Sequence, residues 1–228
     1  MIKQTKTKNS NKQQSNLTEL VFILDRSGSM SGLEKDTIGG FNSLIKKQRK
    51  ENANAIVSTI LFDDEISIIY ERMNIKNVPD MTDKEYYPRG CTALLDAIGN
   101  GINKTIQHQK QDRKTERPNK TLIVITTDGH ENASKEYSLK SIKSLILKQK
   151  RKDWNFIFLG ANINAIEEAS KIGIDADYAA TYRNDKKGTH ALFCSIGSAV
   201  SECCCRETNE LPKDWKKKIE EDYLERKE

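Results

Sequence analysis

No apolar run in the 228 residues approaches the roughly 20 needed to cross a bilayer, so no membrane-spanning helix and no membrane partner is expected. The N-terminal MIKQTKTKNSNKQQSN has lysines but no apolar segment after them, which does not fit a secretory signal and makes the cytoplasm the expected compartment. A concentrated basic face is missing as well. The net charge is +5, but residues 1–18 hold Lys3, Lys6, Lys8 and Lys12 without an acid, which leaves +1 for everything else. A near-neutral body is a poor match for nucleic acid, so no nucleic-acid partner is expected. There is no Gly-rich loop ending in Gly-Lys-Ser/Thr, and a P-loop ATPase is set aside. The cysteines number five, an odd count that argues against a disulfide framework. Three of them, Cys203, Cys204 and Cys205, end a helical pattern of Leu192, Ile196, Val200 and Cys203. Consecutive helical residues point about 100° apart, so this run cannot converge on one zinc and reads as buried or half-buried helix cysteines.

What is present is an alternation of short apolar runs and helical periods. LVFIL (20–24), TLIVIT (121–126) and NFIFLG (155–160) are continuous runs, as expected of strands covered on both faces. AIVSTILF (55–62) and EISIIYE (65–71) flank Asp63-Asp64 and read as an antiparallel hairpin. Helical stripes fall at Ile38, Phe41, Leu44 and Ile45, at Leu95, Ile98, Ile102 and Ile106, and at Leu139, Ile142, Leu145 and Ile146. A short helix with Ile163, Ile166, Ala169 and Ile172 stops at Gly173, and DADYAATY (175–182) is expected as an edge strand. This order predicts an α/β fold: a doubly wound, Rossmann-like, mostly parallel sheet with one antiparallel edge strand and helices on both faces. The expected organisation is a disordered basic tail over 1–18, one domain over 19–205, and a charged, helical extension over 206–228 with few core residues. Basic clusters at Arg113, Lys114, Arg117 and Lys120 and at Lys148, Lys150, Arg151 and Lys152 follow helix ends, where cations meet the negative pole of the dipole.

Right-handed crossovers put the carboxyl ends of parallel strands on one rim, where such sheets bind ligands. Three segments reach that rim: Asp25-Arg26-Ser27-Gly28-Ser29, Arg89-Gly90-Cys91-Thr92 and Thr127-Asp128-Gly129. Their carboxylates and hydroxyls are hard oxygen donors, suited to Mg²⁺ or Mn²⁺ rather than zinc or copper. Ser27 and Ser29 can face one point if Gly28 lets the backbone turn.

Asp-x-Ser-x-Ser, a distant Thr before a helix, and Thr-Asp-Gly after a buried strand together resemble the von Willebrand factor type A domain over roughly residues 19–205. The likeness suggests an intracellular prokaryotic or phage member, in keeping with a composition rich in lysine, isoleucine and asparagine. It implies a metal-ion-dependent adhesion site in which Ser27, Ser29 and Thr92 supply hydroxyls. Asp25 and Asp128 would act directly or through water, and Asp96 would support from one helical turn further on. It also implies a protein-interaction module, not an enzyme: the ion accepts an Asp or Glu carboxylate from a protein partner, within what could be a larger assembly. Arg26, Arg89, His130 and Glu131 are the expected partner-facing rim, with His130 exposed. Asn132 and Ser134 read as helix caps, not ligands. Arg26 puts a large cation at the variable position of the first motif, and Cys91 stands where the family often has a small residue before its Thr; neither removes a ligand. The rival reading is a Mg²⁺-dependent phosphatase or phosphotransferase with Asp25 as nucleophile, but its general acid is wanted at position 27, where Ser27 stands.

Overall fold

The computed structural model describes residues 17–51, 54–205, 211–212 and 214–226. The expected N-terminal tail therefore falls outside the described residues up to position 16, and Thr18 already belongs to the first strand.

The alternating runs fold as β1 (Thr18–Asp25), α1 (Glu34–Glu51), β2 (Ala55–Phe62), β3 (Ile66–Asn74), α2 (Leu94–Gln111), β4 (Lys120–Thr127), α3 (Leu139–Lys150), β5 (Trp154–Ala161), α4 (Ala165–Lys171), β6 (Ala179–Tyr182), α5 (Lys186–Cys205) and α6 (Lys217–Glu225). The strands form one sheet in the order β3-β2-β1-β4-β5-β6, parallel except for β3, which pairs antiparallel with β2. The chain leaves β1 toward β2 on one side and later returns to β4 on the other. The order therefore reverses between β1 and β4, and that crevice is where a doubly wound sheet places its ligand.

Both faces of β1 are covered, which explains its unbroken apolar run. Leu20, Phe22 and Leu24 join Phe41, Leu44 and Ile45 of α1 and Leu192, Phe193 and Ile196 of α5 in one core. Val21 and Ile23 point the other way, into Ile98 and Ile102 of α2 and Ile142 and Ile146 of α3. Phe22 meets Phe41 edge-to-face with centroids 5.5 Å apart. The chain after α5 contributes more core than its charge suggests. Trp215 and Ile219 are 4% and 1% exposed and pack with the α1–α5 core, and Trp215 Nε1 donates to the Asp177 carbonyl at 2.9 Å.

Lys120, expected with the cations that follow the end of α2, serves the end of a different helix. It is buried, and its Nζ donates to the Cys203 carbonyl at 2.8 Å, satisfying an acceptor in the last turn of α5. Cys203 is buried and Cys204 half-buried on that same turn. No helix among the described residues is long and apolar enough to cross a membrane.

Candidate metal centre

β1 delivers Asp25 to the rim beside the end of β4, because Leu24 pairs with Thr126 in the parallel register. The side chain of Asp25 is held from both sides. Its Oδ1 accepts the Ser27 backbone N–H at 2.7 Å and its Oδ2 accepts Thr127 Oγ1 at 2.7 Å. From the loop before α2, Tyr86 is fully buried and donates its hydroxyl to the Asp25 carbonyl at 2.7 Å.

After Asp25 the chain makes a single 3-10 turn, Gly28–Met30, with Ser27 as its N-cap and Ser29 within it. Ser27 Oγ and Ser29 Oγ lie 3.1 Å apart, and Ser29 Oγ donates to Asp128 Oδ1 at 2.6 Å. Asn184, between β6 and α5, donates to the other oxygen of Asp128 at 2.9 Å. Thr92 is oriented by a reciprocal pair with Asn132: its N–H reaches Asn132 Oδ1 at 2.9 Å, and the Asn132 N–H reaches its carbonyl at 3.1 Å. A Cβ at Gly129 would lie 3.6 Å from Thr92 Oγ1 and 3.9 Å from Ser29 Oγ, so hydroxyls from separate segments converge over that Cα. Asp25, Ser27, Ser29, Thr92 and Asp128 thus occupy one crevice.

The glycine that the turn requires is not the expected one. Gly28 lies outside the left-handed region; its N–H instead donates to the Gly90 carbonyl at 3.2 Å. Gly90 has φ +64°, and a Cβ there would fall 1.7 Å from Asp64 Oδ1. Position 90 needs glycine on both counts, conformation and close approach.

Beneath the crevice lies a buried ion-pair network. Arg26 is 3% exposed, and its Nε donates to Asp63 Oδ2 at 2.8 Å while Nη2 reaches Ser67 Oγ at 2.9 Å. Arg89 Nε meets the same Asp63 oxygen at 2.9 Å, its Nη2 pairs with Glu65, and the Tyr87 ring lies against both guanidinium groups. Asp63 itself is fully buried, and its carbonyl accepts the Ala93 N–H at 2.9 Å. This network ties the first ligand segment, the β2–β3 turn and the Thr92 loop together.

The other residues of the expected rim divide between surface and framework. Arg89 keeps 39% of its side chain exposed, and His130 keeps 68%, with Nδ1 at 3.4 Å from Glu168 Oε1. The guanidinium of Arg26 points inward. Glu131 is engaged at the start of α2, a helix whose own N-cap, Ala93, offers no side-chain acceptor. Glu131 Oε2 accepts the Leu95 N–H at 2.8 Å, and Ser134 Oγ accepts the Asp96 N–H at 3.0 Å. A carboxylate there also meets the positive end of the helix dipole. Ser134 therefore caps α2, while α3, the helix that follows it, is capped by Ser138 in a capping box with Ser141. Asp96 accepts the backbone N–H groups of Lys135, Glu136 and Tyr137 at 2.8, 3.0 and 2.9 Å and so pins the loop that positions Thr92.

Two buried carboxyls side by side carry an electrostatic cost. Burial raises Asp25 to about 6, against the lowering effect of its bonds from Ser27 and Thr127, and the nearby Asp128 charge adds to the rise. Burial raises Asp128 too, opposed by Ser29 and Asn184. The donor set is two carboxylates and three hydroxyls, all oxygen, and Thr92 Oγ1 makes no hydrogen bond among the described residues. No group of three or more His, Cys, Asp or Glu that could hold a metal occurs among the described residues, so a soft or nitrogen-rich metal has no site of that kind there. The oxygen set fits a hard dication.

Sequence reasoning had not singled out Asp63, Tyr86, Asn132 as the partner of Thr92, or Asn184. An Asp after a strand and an Asn before a helix are ordinary turn residues in sequence, and nothing local separates these from others.

Fold and crevice together define an α/β domain with an oxygen-lined site at its topological switch point. The chain belongs to the von Willebrand factor type A domain family, whose model matches residues 19–193. Solved structures of the same fold include proximal thread matrix protein 1 from the mussel byssus, with a zinc-occupied MIDAS motif (TM-score 0.56, 14% identity, 82% of this chain and 46% of that one). The vWF domain of the type V pili tip protein Mfa5 from Porphyromonas gingivalis is similar at TM-score 0.58 and 10% identity, over 84% of this chain and 97% of that one. Manganese-loaded TRAP protein from Plasmodium vivax is similar at TM-score 0.53 and 17% identity, over 75% and 70%. The chain spans about half the length of the mussel protein, 46%. No curated protein sequence matches it.

Proposed function

We propose that the crevice binds Mg²⁺ or Mn²⁺ and that the domain is a metal-dependent protein-interaction module of the cytoplasm rather than an enzyme. The observation that carries this reading is the unbroken chain of oxygens from Ser27 through Ser29 to Asp128, with Asp25 anchored beside it. Ser27, Ser29 and Thr92 would hold the ion through neutral hydroxyls, with Asp25 and Asp128 bonded to it or to its water. A dication so held supplies a coordination position that an outside carboxylate can fill, since its charge is only partly balanced. Arg89 and His130, exposed at the same rim, would set which Asp- or Glu-bearing partner protein docks there, as part of a larger assembly.

Two measurements test this. With free Mg²⁺ at ten times its Kd, the fold should gain about 1.4 kcal/mol, so chelation should lower the melting temperature, and Asp25→Ala should erase the difference. An unchanged melting curve on chelation removes the metal site. A peptide carrying a single Glu should then bind the Mn²⁺-loaded domain and be released by chelator; retention without the ion would show that the ion is not the contact.

A further inference from the structure

A second surface lies apart from the crevice, between α1 and α5. An open groove of about 720 Å³ runs there, floored by Gly39, Gly40, Leu44, Phe193 and Gly197. The floor is low because glycine makes it so: the Phe193 ring packs against Gly40, where a Cβ would fall 2.2 Å from a ring carbon, and a Cβ at Gly39 would meet nothing within 4 Å. Lining residues recur along both helices at helical spacing, from Lys35 to Lys47 on α1 and from Lys186 to Ser198 on α5. Twelve residues of α1 correspond to roughly 18 Å, about three turns.

Its charge is as distinctive as its shape. Five lysines line the groove, Lys35, Lys47, Lys186, Lys187 and Lys218, against one acid, Asp36. Lys47 and Lys187 pair with Glu51 and Asp222 at 4.0 and 3.1 Å, but Lys35, Lys186 and Lys218 form no ion pair among the described residues. A chain with only +1 outside its N-terminal 18 residues therefore concentrates positive charge around an apolar trough.

We infer that this groove docks an acidic amphipathic helix of a partner protein, its apolar face on the glycine floor and its carboxylates on the flanking lysines. Charge distribution selects this occupant. An anion with one headgroup would need lysines at one end only, whereas here they stand at both ends of the α1 stretch and on α5 and α6 besides. Small residues on the floor let a helix backbone approach closely, and helix-in-groove recognition uses anchors three and four residues apart. This surface does not depend on the metal site.

The probe is a fluorescein-labelled 18-residue peptide with leucines at helical i, i+3, i+4 and i+7 positions and glutamates elsewhere, followed by anisotropy against the full chain. Saturable binding is expected, weakened at least tenfold by Gly39→Leu, which fills the groove where there is room for a side chain, and by the double variant Lys35→Glu, Lys186→Glu. Binding should be equal in chelator and in Asp25→Ala, which separates this surface from the crevice. A melting temperature within a few degrees of the parent shows that the variants fold; the exposed lysine pair serves as the reading should Gly39→Leu fail this control. Equal binding of the same peptide with lysine in place of glutamate overturns the proposal. So does absence of saturation, binding unchanged in variants that pass the control, displacement by dodecanoate at equimolar amounts, or a self-association of the chain that the lysine variant abolishes.

Discussion

Asp25 is asked to be charged in a place that penalises charge. Its carboxyl, raised to about 6 from an ordinary 3.8 mainly by burial, binds a proton more readily in the folded chain than in the unfolded one. For a group raised on folding, the stabilising contribution is complete below the unfolded value and is lost as pH rises through about 6. In chelator, stability should therefore fall between pH 4 and 7 by a component on the order of 3 kcal/mol that Asp25→Asn removes. Denaturant titrations across that window check the slope; parent and variant falling in parallel would contradict it. Added Mg²⁺ should act with the opposite sign, stabilising more as the carboxyl ionises. The Arg26 and Asp63 pair offers a second test. Arg26→Ala leaves a fully buried carboxylate with the Glu65 N–H and one cationic partner, Arg89, that is 39% exposed, and should cost about 3–5 kcal/mol. Arg89→Ala, at the solvent edge of the same network, should cost about 1 kcal/mol. The reverse order in chemical denaturation would mean that Arg26 is not the principal counter-ion.

The loop elements set the geometry that these residues use. The turn through Gly90 carries Thr92 to the crevice and receives the Gly28 N–H, so it joins two ligand segments by their backbones. Gly90→Ala must hold a left-handed conformation and push Asp64 aside, at a cost of about 1–3 kcal/mol. Its larger effect should be on Mn²⁺ affinity by calorimetry, because Thr92 is displaced; unaltered affinity would show that the turn is not a determinant. At the start of α2, Glu131→Ala removes the acceptor of the Leu95 N–H and should cost about 1–2 kcal/mol by denaturation. The five candidate oxygen donors were legible in sequence because Asp25 and Asp128 follow apolar runs, Thr92 precedes a helical stripe, and Ser27 and Ser29 complete the Asp-x-Ser-x-Ser pattern after Asp25. The roles of Glu131 and Asn132 were not, since Glu131 serves the start of α2 across 36 positions and Asn132 reaches Thr92 in the loop before it across 40.

At the scale of the whole molecule, the sheet is closed on both faces, and α6 completes one of them. Trp215→Ala should cost about 3–5 kcal/mol, as a large buried ring that also carries a hydrogen bond. A loss under 1 kcal/mol by denaturation would mean that the segment after α5 is an appendage, as its charge-rich sequence suggests. The apolar runs, their flanking turns and the 3.6-residue stripes were enough to determine the strands, the helices, the antiparallel hairpin and the rim on which the donors gather, because periodicity is a local property of the chain and crossover handedness is nearly invariant. Which side chains meet at that rim was decided only by the tertiary structure. The Asp25–Thr127 bond spans 102 residues and the Asn184–Asp128 bond 56, and the inward turn of Arg26 depends on an Asp 37 positions away. No local pattern encodes contacts of that range; they follow from strand order and register, which place separate segments side by side.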